Sequence, residues 1–187
     1  MHTKHPVLFV QGAGAGTHDQ WDNKLVENLR RELGPDYEVH YPRMPDEADP
    51  DPILWKRAIV SELARLSGRV SLVGHSVGGS LLLKTLVEED VKNPVEGLFL
   101  LAAPSWDEDQ WDFDDLKLPP DSADRLAFVP EIFLYHSRDD DVVPFSHLAL
   151  HGARLPRATL RPFDGRGHQL GNDLADVAQD IRSGKGA

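Results

Sequence analysis

Two kinds of apolar pattern alternate along the chain. Short unbroken apolar runs give way to segments whose apolar residues recur three and four positions apart. Val7, Leu8, Phe9 and Val10 form the first run, with the length and content of a buried parallel strand. Residues 17–33 follow, with Trp21, Leu25, Val26, Leu29 and Leu33 on one helical face and Gly34-Pro35 as the stop. Residues 37–41 alternate as a second strand. Residues 42–52 are acidic and hold prolines at 42, 45, 50 and 52, which makes them a loop. Trp55, Ile59, Leu63 and Leu66 mark the next helix, Gly68 ends it, and residues 69–73 start a central strand. Beyond a helical run at 80–87, strands are predicted at 95–103, 131–136 and 158–163, with short helices at 145–153 and 174–181.

Strand–helix alternation of this kind predicts an α/β fold of three layers, with about six mostly parallel strands and helices on both faces. In such sheets ligands gather at the carboxyl ends of the strands. The unusual loops all fall there: residues 12–16, Ser76, the stretch from Pro104 onward, Asp140 and His168. The length of 187 residues fits a single domain over 1–187, with no internal repeat and no low-complexity linker. Residues 105–128 are the longest irregular stretch and mix Trp106, Trp111 and Phe113 with acidic side chains. Loops this long are usually functional or disordered. The expectation is a short cap or pocket wall, against a solvated loop whose aromatics tuck into the core.

Composition narrows the chemistry. A net charge of −11 disfavours binding to nucleic-acid phosphates and to anionic membranes, since both need basic patches. The absence of cysteine excludes disulfides, thiolate metal sites and cysteine catalysis. No apolar run approaches a membrane span or a signal-peptide core, so the expected location is cytoplasmic.

The strongest chemical signal is Gly74-His75-Ser76-Val77-Gly78, set between an apolar strand and a helix. Glycines two before and two after a serine leave room for a sharp strand-to-helix turn that exposes its hydroxyl. A plain glycine-rich turn is the competing reading. A serine hydroxyl is a weak nucleophile at neutral pH, so it needs a base within hydrogen-bond reach and a carboxylate to orient that base. His168, flanked by glycines in Gly165-Arg166-Gly167-His168, is the candidate base. The candidate acids lie together at the end of the 131–136 strand as Asp139, Asp140 and Asp141. Gln11-Gly12-Ala13-Gly14-Ala15-Gly16 follows the first strand but fits neither a dinucleotide fingerprint, since Thr17 stands where the third glycine belongs, nor a P-loop. A loop that turns a backbone N–H toward the serine accounts for it better than a merely flexible connection.

From the serine motif onward the chain resembles the α/β-hydrolase superfamily. The family's acid commonly lies four residues before the proline of an Asp-x-Val-Val-Pro-like turn, which implies Asp140 before Val142, Val143 and Pro144. The glycine loop resembles the family's oxyanion segment, usually His-Gly-x-Gly, with Gln11 in place of the histidine. The resemblance implies backbone donors at Ala13 and Val77. The small size and the serine nucleophile bring the chain closest to small serine hydrolases similar to retinoblastoma-binding protein 9 and to compact carboxylesterases. It implies cleavage of a small-molecule ester or other acyl substrate without a cofactor. A thioesterase, an amide or peptide hydrolase, and a catalytically silent binding protein are the alternatives.

Other residues are weighed separately. His18, Trp106 and Trp111 are candidate pocket residues. His75 is expected to pack against its neighbours. His147 and His151 stand four apart on a helix, a spacing zinc can use, but no third ligand accompanies them, so a surface pair is expected and no metal.

Overall fold

The computed structural model describes residues 4–106 and 116–184. Six strands form one parallel sheet: β1 (His5–Val10), β2 (Tyr37–His40), β3 (Val70–His75), β4 (Val95–Leu101), β5 (Ile132–Ser137) and β6 (Thr159–Phe163). Their spatial order is β2-β1-β3-β4-β5-β6. β1 and β3 lie side by side in the middle, with Phe9 opposite Val73 and Val10 opposite Gly74. The carboxyl ends of these two strands therefore open next to each other. β6 closes one edge and contains Pro162, which an edge strand tolerates because one side of its ladder is unpaired.

Helices cover both faces. α1 (Asp22–Leu33) and α6 (Ala175–Ser183) lie on one side, where Leu25, Val26, Leu29, Val177 and Ile181 pack against Val7, Phe9, Val73 and Phe99. α2 (Pro52–Arg65), α3 (Ser76–Glu88), the short α4 (Ser122–Arg125) and α5 (Ser146–Arg154) are on the other side. There Trp55, Ile59, Leu81, Leu82 and Leu148 share a core with Leu8, Val10, Leu72 and Leu100. Alternate side chains of each strand thus feed two separate cores, as expected of a sheet buried on both faces. Among the described residues no helix is long and apolar enough to cross a membrane.

The structure departs from the sequence expectations in two places. The helix expected over 17–33 is broken in two: Thr17–Trp21 is a single π turn, and α1 starts only at Asp22. The wider turn shifts the phase of the apolar face. Leu25, Val26, Leu29 and Leu33 are buried, while Trp21 is 51% exposed. His147 and His151 are not a surface pair but are buried. The His147 ring accepts the Ser105 N–H at 2.8 Å, and the His151 Nε2 lies 3.2 Å from the Ala103 carbonyl. They pin the chain as it leaves β4 to α5. Trp106, Leu116 and Leu126 belong to the core beside α3. Residues 107–115, Trp111 among them, lie outside the described residues, and with them the middle of the expected cap or pocket wall over 105–128.

Trp55 anchors the long acidic loop after β2. It is fully buried, and its indole N–H donates to the Pro45 carbonyl at 2.6 Å. Replacing it with phenylalanine keeps most of the packing but strands a carbonyl. Trp55→Phe is expected to lower stability by about 1–3 kcal/mol, the usual cost of one unmade buried hydrogen bond. A urea titration reads this as a lower midpoint at an unchanged slope; an unmoved midpoint would show that the indole bond contributes nothing.

Candidate active site

The chain reverses abruptly where β3 ends at His75 and α3 begins at Ser76. Ser76 has φ 52°, a left-handed conformation that costs a non-glycine residue energy and persists only when its surroundings impose it. The imposing contact is backbone against backbone. A Cβ on Gly78 would lie 1.8 Å from the Gln11 carbonyl oxygen, and one on Gly74 would lie 2.6 Å from the Gly79 Cα. Gly78 lets the first turn of α3 press against the end of β1, and Gly74 lets that turn pack onto β3. Ser76 is left at the helix N-terminus, where unpaired N–H groups and the helix dipole favour negative charge.

His168 reaches the serine from the turn after β6. That turn is made possible by left-handed backbone at Gly165 and Gly167, with φ 69° and 58°. The His168 Nε2 is 3.0 Å from the Ser76 Oγ, and its Nδ1 is 2.8 Å from the Asp140 Oδ2. Nδ1–H donates to the carboxylate, so Nε2 is left with a lone pair for the serine O–H. The three side chains form one continuous hydrogen-bonded relay.

The Asp140 side chain is buried, and hydrogen-bond donors meet both of its oxygens. Oδ1 accepts the N–H groups of Val142 and Val143, each at 2.9 Å. Oδ2 lies 3.1 Å from the His136 Nε2. Burial pushes the Asp140 pKa up, but the hydrogen bonds from His136, His168 and the Val143 amide outweigh it and hold the carboxyl well below its ordinary value. Its neighbours do different work. Asp139 accepts the Ser137 hydroxyl and, at 3.1 Å, the Gly167 N–H, so it shapes the histidine turn. Asp141 lines the cleft above the serine.

The loop after β1 is tied down by side chains that the sequence pattern does not mark. The Gly12 N–H donates to the Asp22 Oδ2 at 2.7 Å. Glu47 accepts the N–H groups of Gly16 and His18, each at 2.9 Å, and its own carbonyl accepts the Gly14 N–H at 2.6 Å. Gln11 is fully buried. Its Nε2 donates to Glu47 at 2.5 Å, and its Oε1 accepts the Met44 N–H at 3.0 Å. Ala13 faces the cleft beside Ser76, and Val77 lies in the first turn of α3.

A cleft of about 660 Å³ opens over Ser76. Ala13, Ala15, Trp21 and Val142 supply apolar surface, and His168 and Arg166 also line it. Two expected pocket residues are elsewhere. His18 stacks on Tyr41, with ring centroids 4.2 Å apart and planes 5° apart, because the π turn carries it to the side of the β2 loop. Trp106 is in the core. Trp21 takes their place at the cleft; only the change of helical phase reveals it. His136, Asp22 and Glu47 are the polar groups that the sequence reading missed.

The sheet order, the helices on both faces and the serine at the strand–helix turn define an α/β-hydrolase. The chain belongs to the serine hydrolase family, whose sequence pattern matches residues 7–170, and it is a hydrolase. Three solved structures share the fold. The ydeN gene product from B. subtilis has TM-score 0.79 at 20% identity, over 96% of this chain and 100% of its own. A serine hydrolase involved in carbazole degradation, the CarC enzyme, has TM-score 0.73 at 17% identity over 97% and 91%. The esterase domain of a Rhodothermus marinus protein has TM-score 0.64 at 18% identity over 98% and 87%. At such identities the likeness is one of fold. The sequence matches no curated protein.

The depressed Asp140 pKa makes a stability prediction. A carboxylate whose folded pKa lies below its unfolded value of 3.8 contributes stability that is complete above 3.8 and is lost as the pH falls. Urea unfolding from neutral to acid pH should therefore show wild type losing stability more steeply than Asp140→Asn, the two converging at the acid end. Parallel curves would rule out a depressed carboxyl at this position.

Proposed function

We propose that the protein hydrolyses carboxylic esters through an acyl-enzyme on Ser76, with His168 as the base and Asp140 as the group that orients it. The supporting observation is the relay itself, with its 3.0 Å and 2.8 Å links. A fold kept only for binding has no physical need of that relay.

In this reading Ser76 Oγ attacks the ester carbon while its proton passes to the His168 Nε2. The carbonyl π pair moves to oxygen, and the oxyanion lies against the N–H groups of Ala13 and Val77. One such donor is worth about 3–4 kcal/mol of transition-state stabilisation. Collapse expels the alkoxide, which takes the proton from Nε2 and leaves as the alcohol. Water then attacks the acyl-enzyme, gives a proton to Nε2, and the carboxylic acid departs as Ser76 regains its hydrogen. Asp140 stays ionised throughout. Its role is to hold Nδ1 protonated and to stabilise the imidazolium. The apolar surface of Ala13, Ala15, Trp21 and Val142 suits a small, uncharged acyl group.

Two measurements test the assignment. Ser76→Ala should lose fluorophosphonate labelling and p-nitrophenyl acetate hydrolysis together; a labelled or fully active variant would sink it. Asp140→Asn should drop kcat by about 10⁴-fold, since the imidazole then favours the wrong tautomer. Asp139→Asn, whose carboxyl meets the Ser137 hydroxyl and the Gly167 amide rather than the imidazole, should stay far more active than Asp140→Asn, and the reverse order would reassign the acid.

A further inference from the structure

A second histidine–aspartate pair lies directly beneath the relay. His75, the residue before Ser76, is buried, and so is Asp22 at the start of α1. The His75 Nδ1 is 2.9 and 3.0 Å from the two carboxylate oxygens of Asp22. Its Nε2 is 3.1 Å from the backbone carbonyl of His168. The His75 and His168 rings are 4.9 Å apart and inclined at 47°.

Counting donors fixes the protonation. A carbonyl oxygen can only accept, so His75 Nε2 must carry a hydrogen. A carboxylate can only accept as well, so Nδ1 must also carry one. The remaining possibility places the proton on the carboxyl, leaving both groups neutral. Asp22 argues against that, because it also accepts the Gly12 N–H at 2.7 Å and lies 3.4 Å from the Gln169 amide nitrogen. Such donors favour the ionised form.

We propose that His75 is a resident imidazolium and that the His75–Asp22 pair is a positioning device that joins the three loops of the active site. Asp22 holds the oxyanion loop through the Gly12 amide. His75 holds the histidine turn through the His168 carbonyl, and covalently it adjoins the nucleophile. Among the described residues no backbone hydrogen bond links these three segments directly; the His75–Asp22 pair does. The role in positioning rests on the ester-hydrolase reading, whereas the protonation state does not.

The charged groups facing His75 are few. Asp22 faces it from α1, Asp140 from the turn after β5, and the His168 ring from the turn after β6. Burial pushes the His75 pKa down, but the Asp22 charge and hydrogen bond, the His168 carbonyl and the Asp140 charge outweigh it and raise it above 6.5. At Asp22 burial pushes upward and is outweighed by His75, the Gly12 amide and Gln169, so that carboxyl lies below 3.8. The two directions agree on an ion pair. It differs from the His168–Asp140 pair in one partner: His168 Nε2 meets a hydroxyl, which can donate, whereas His75 Nε2 meets a carbonyl, which cannot.

Nitrogen NMR of the histidine rings in the resting enzyme tests the charge, with His75→Gln used to assign the signal. At about pH 7.5, one unit above the ordinary value, both His75 nitrogens should be protonated. A single ring proton there would overturn the inference. Asp22→Asn should remove one of those protons and lower kcat for an ester by about 10²-fold, the scale of a small misplacement of reacting groups, with KM little changed. An Asp22→Asn enzyme with wild-type kcat would overturn the positioning role. The NMR reading needs no substrate, so a failure of Ser76 labelling would sink the ester-hydrolase reading and leave the doubly protonated His75 standing.

Discussion

The active site depends on one steric constraint, the contact between the first turn of α3 and the end of β1. The Gly78 backbone lies so close to the Gln11 carbonyl that no side chain fits between them. That approach forces Ser76 into left-handed backbone and brings it beside the loop that begins at Gly12. The helix N-terminus, Ser76 and the loop after β1 thereby come together through one close backbone contact. The sheet makes the contact possible, because β1 and β3 are adjacent and parallel and end at the same level. Distant parts of the chain then only have to deliver side chains to a point already fixed.

Gln11 shows how a departure from the family pattern is absorbed. In the proposed mechanism the oxyanion is met by backbone amides, so the side chain at this position is free to serve another purpose. Here it is buried and bridges to Glu47 and to the Met44 amide. The acidic, proline-rich loop after β2 therefore acts as a brace. Trp55 fixes it from below through Pro45, and Glu47 gathers the amides of Gly16 and His18 from above. Glu47 keeps its charge because those donors outweigh its burial. A glycine-rich loop with this many fixed amides is held in place despite its composition.

Much of this was legible in the sequence, and the rest was hidden for physical reasons. The strands, the serine turn and the glycine-flanked His168 announce themselves locally, through runs of apolar residues and glycines that only tight turns require. Asp22, Glu47 and His136 carry no local signal. Each belongs to an ordinary helix, loop or strand and reaches the site only once the chain is folded. Trp21 misled because a π turn changes the helical phase without changing the composition. His147 and His151 misled because polar residues four apart on a short helix read as solvent-facing, yet buried imidazoles are stable when backbone groups are there to meet them. The three successive aspartates could be separated only by resemblance. In the structure the direction of the backbone separates them: it sends Asp139 toward the Gly167 amide, Asp140 toward the His168 ring and Asp141 toward the cleft.

The two histidine–aspartate pairs show how one chemical unit is given two behaviours. Both imidazoles donate Nδ1–H to a buried carboxylate that is also held by backbone amides. The difference that bears on their charge is at Nε2. Opposite His168 stands a hydroxyl that can donate, so in the proposed mechanism that ring accepts the serine proton and returns it. Opposite His75 stands a carbonyl with no proton to give, so that ring keeps its charge. The carbonyl is that of His168 itself, so the fixed pair grips the backbone of the mobile one. A base that must move a proton over a fraction of an ångström needs a ring that can change charge on a backbone that cannot shift. A second pair of the same kind beneath the first, its imidazole held by Asp22 and by the His168 carbonyl, meets both needs with the residues at hand.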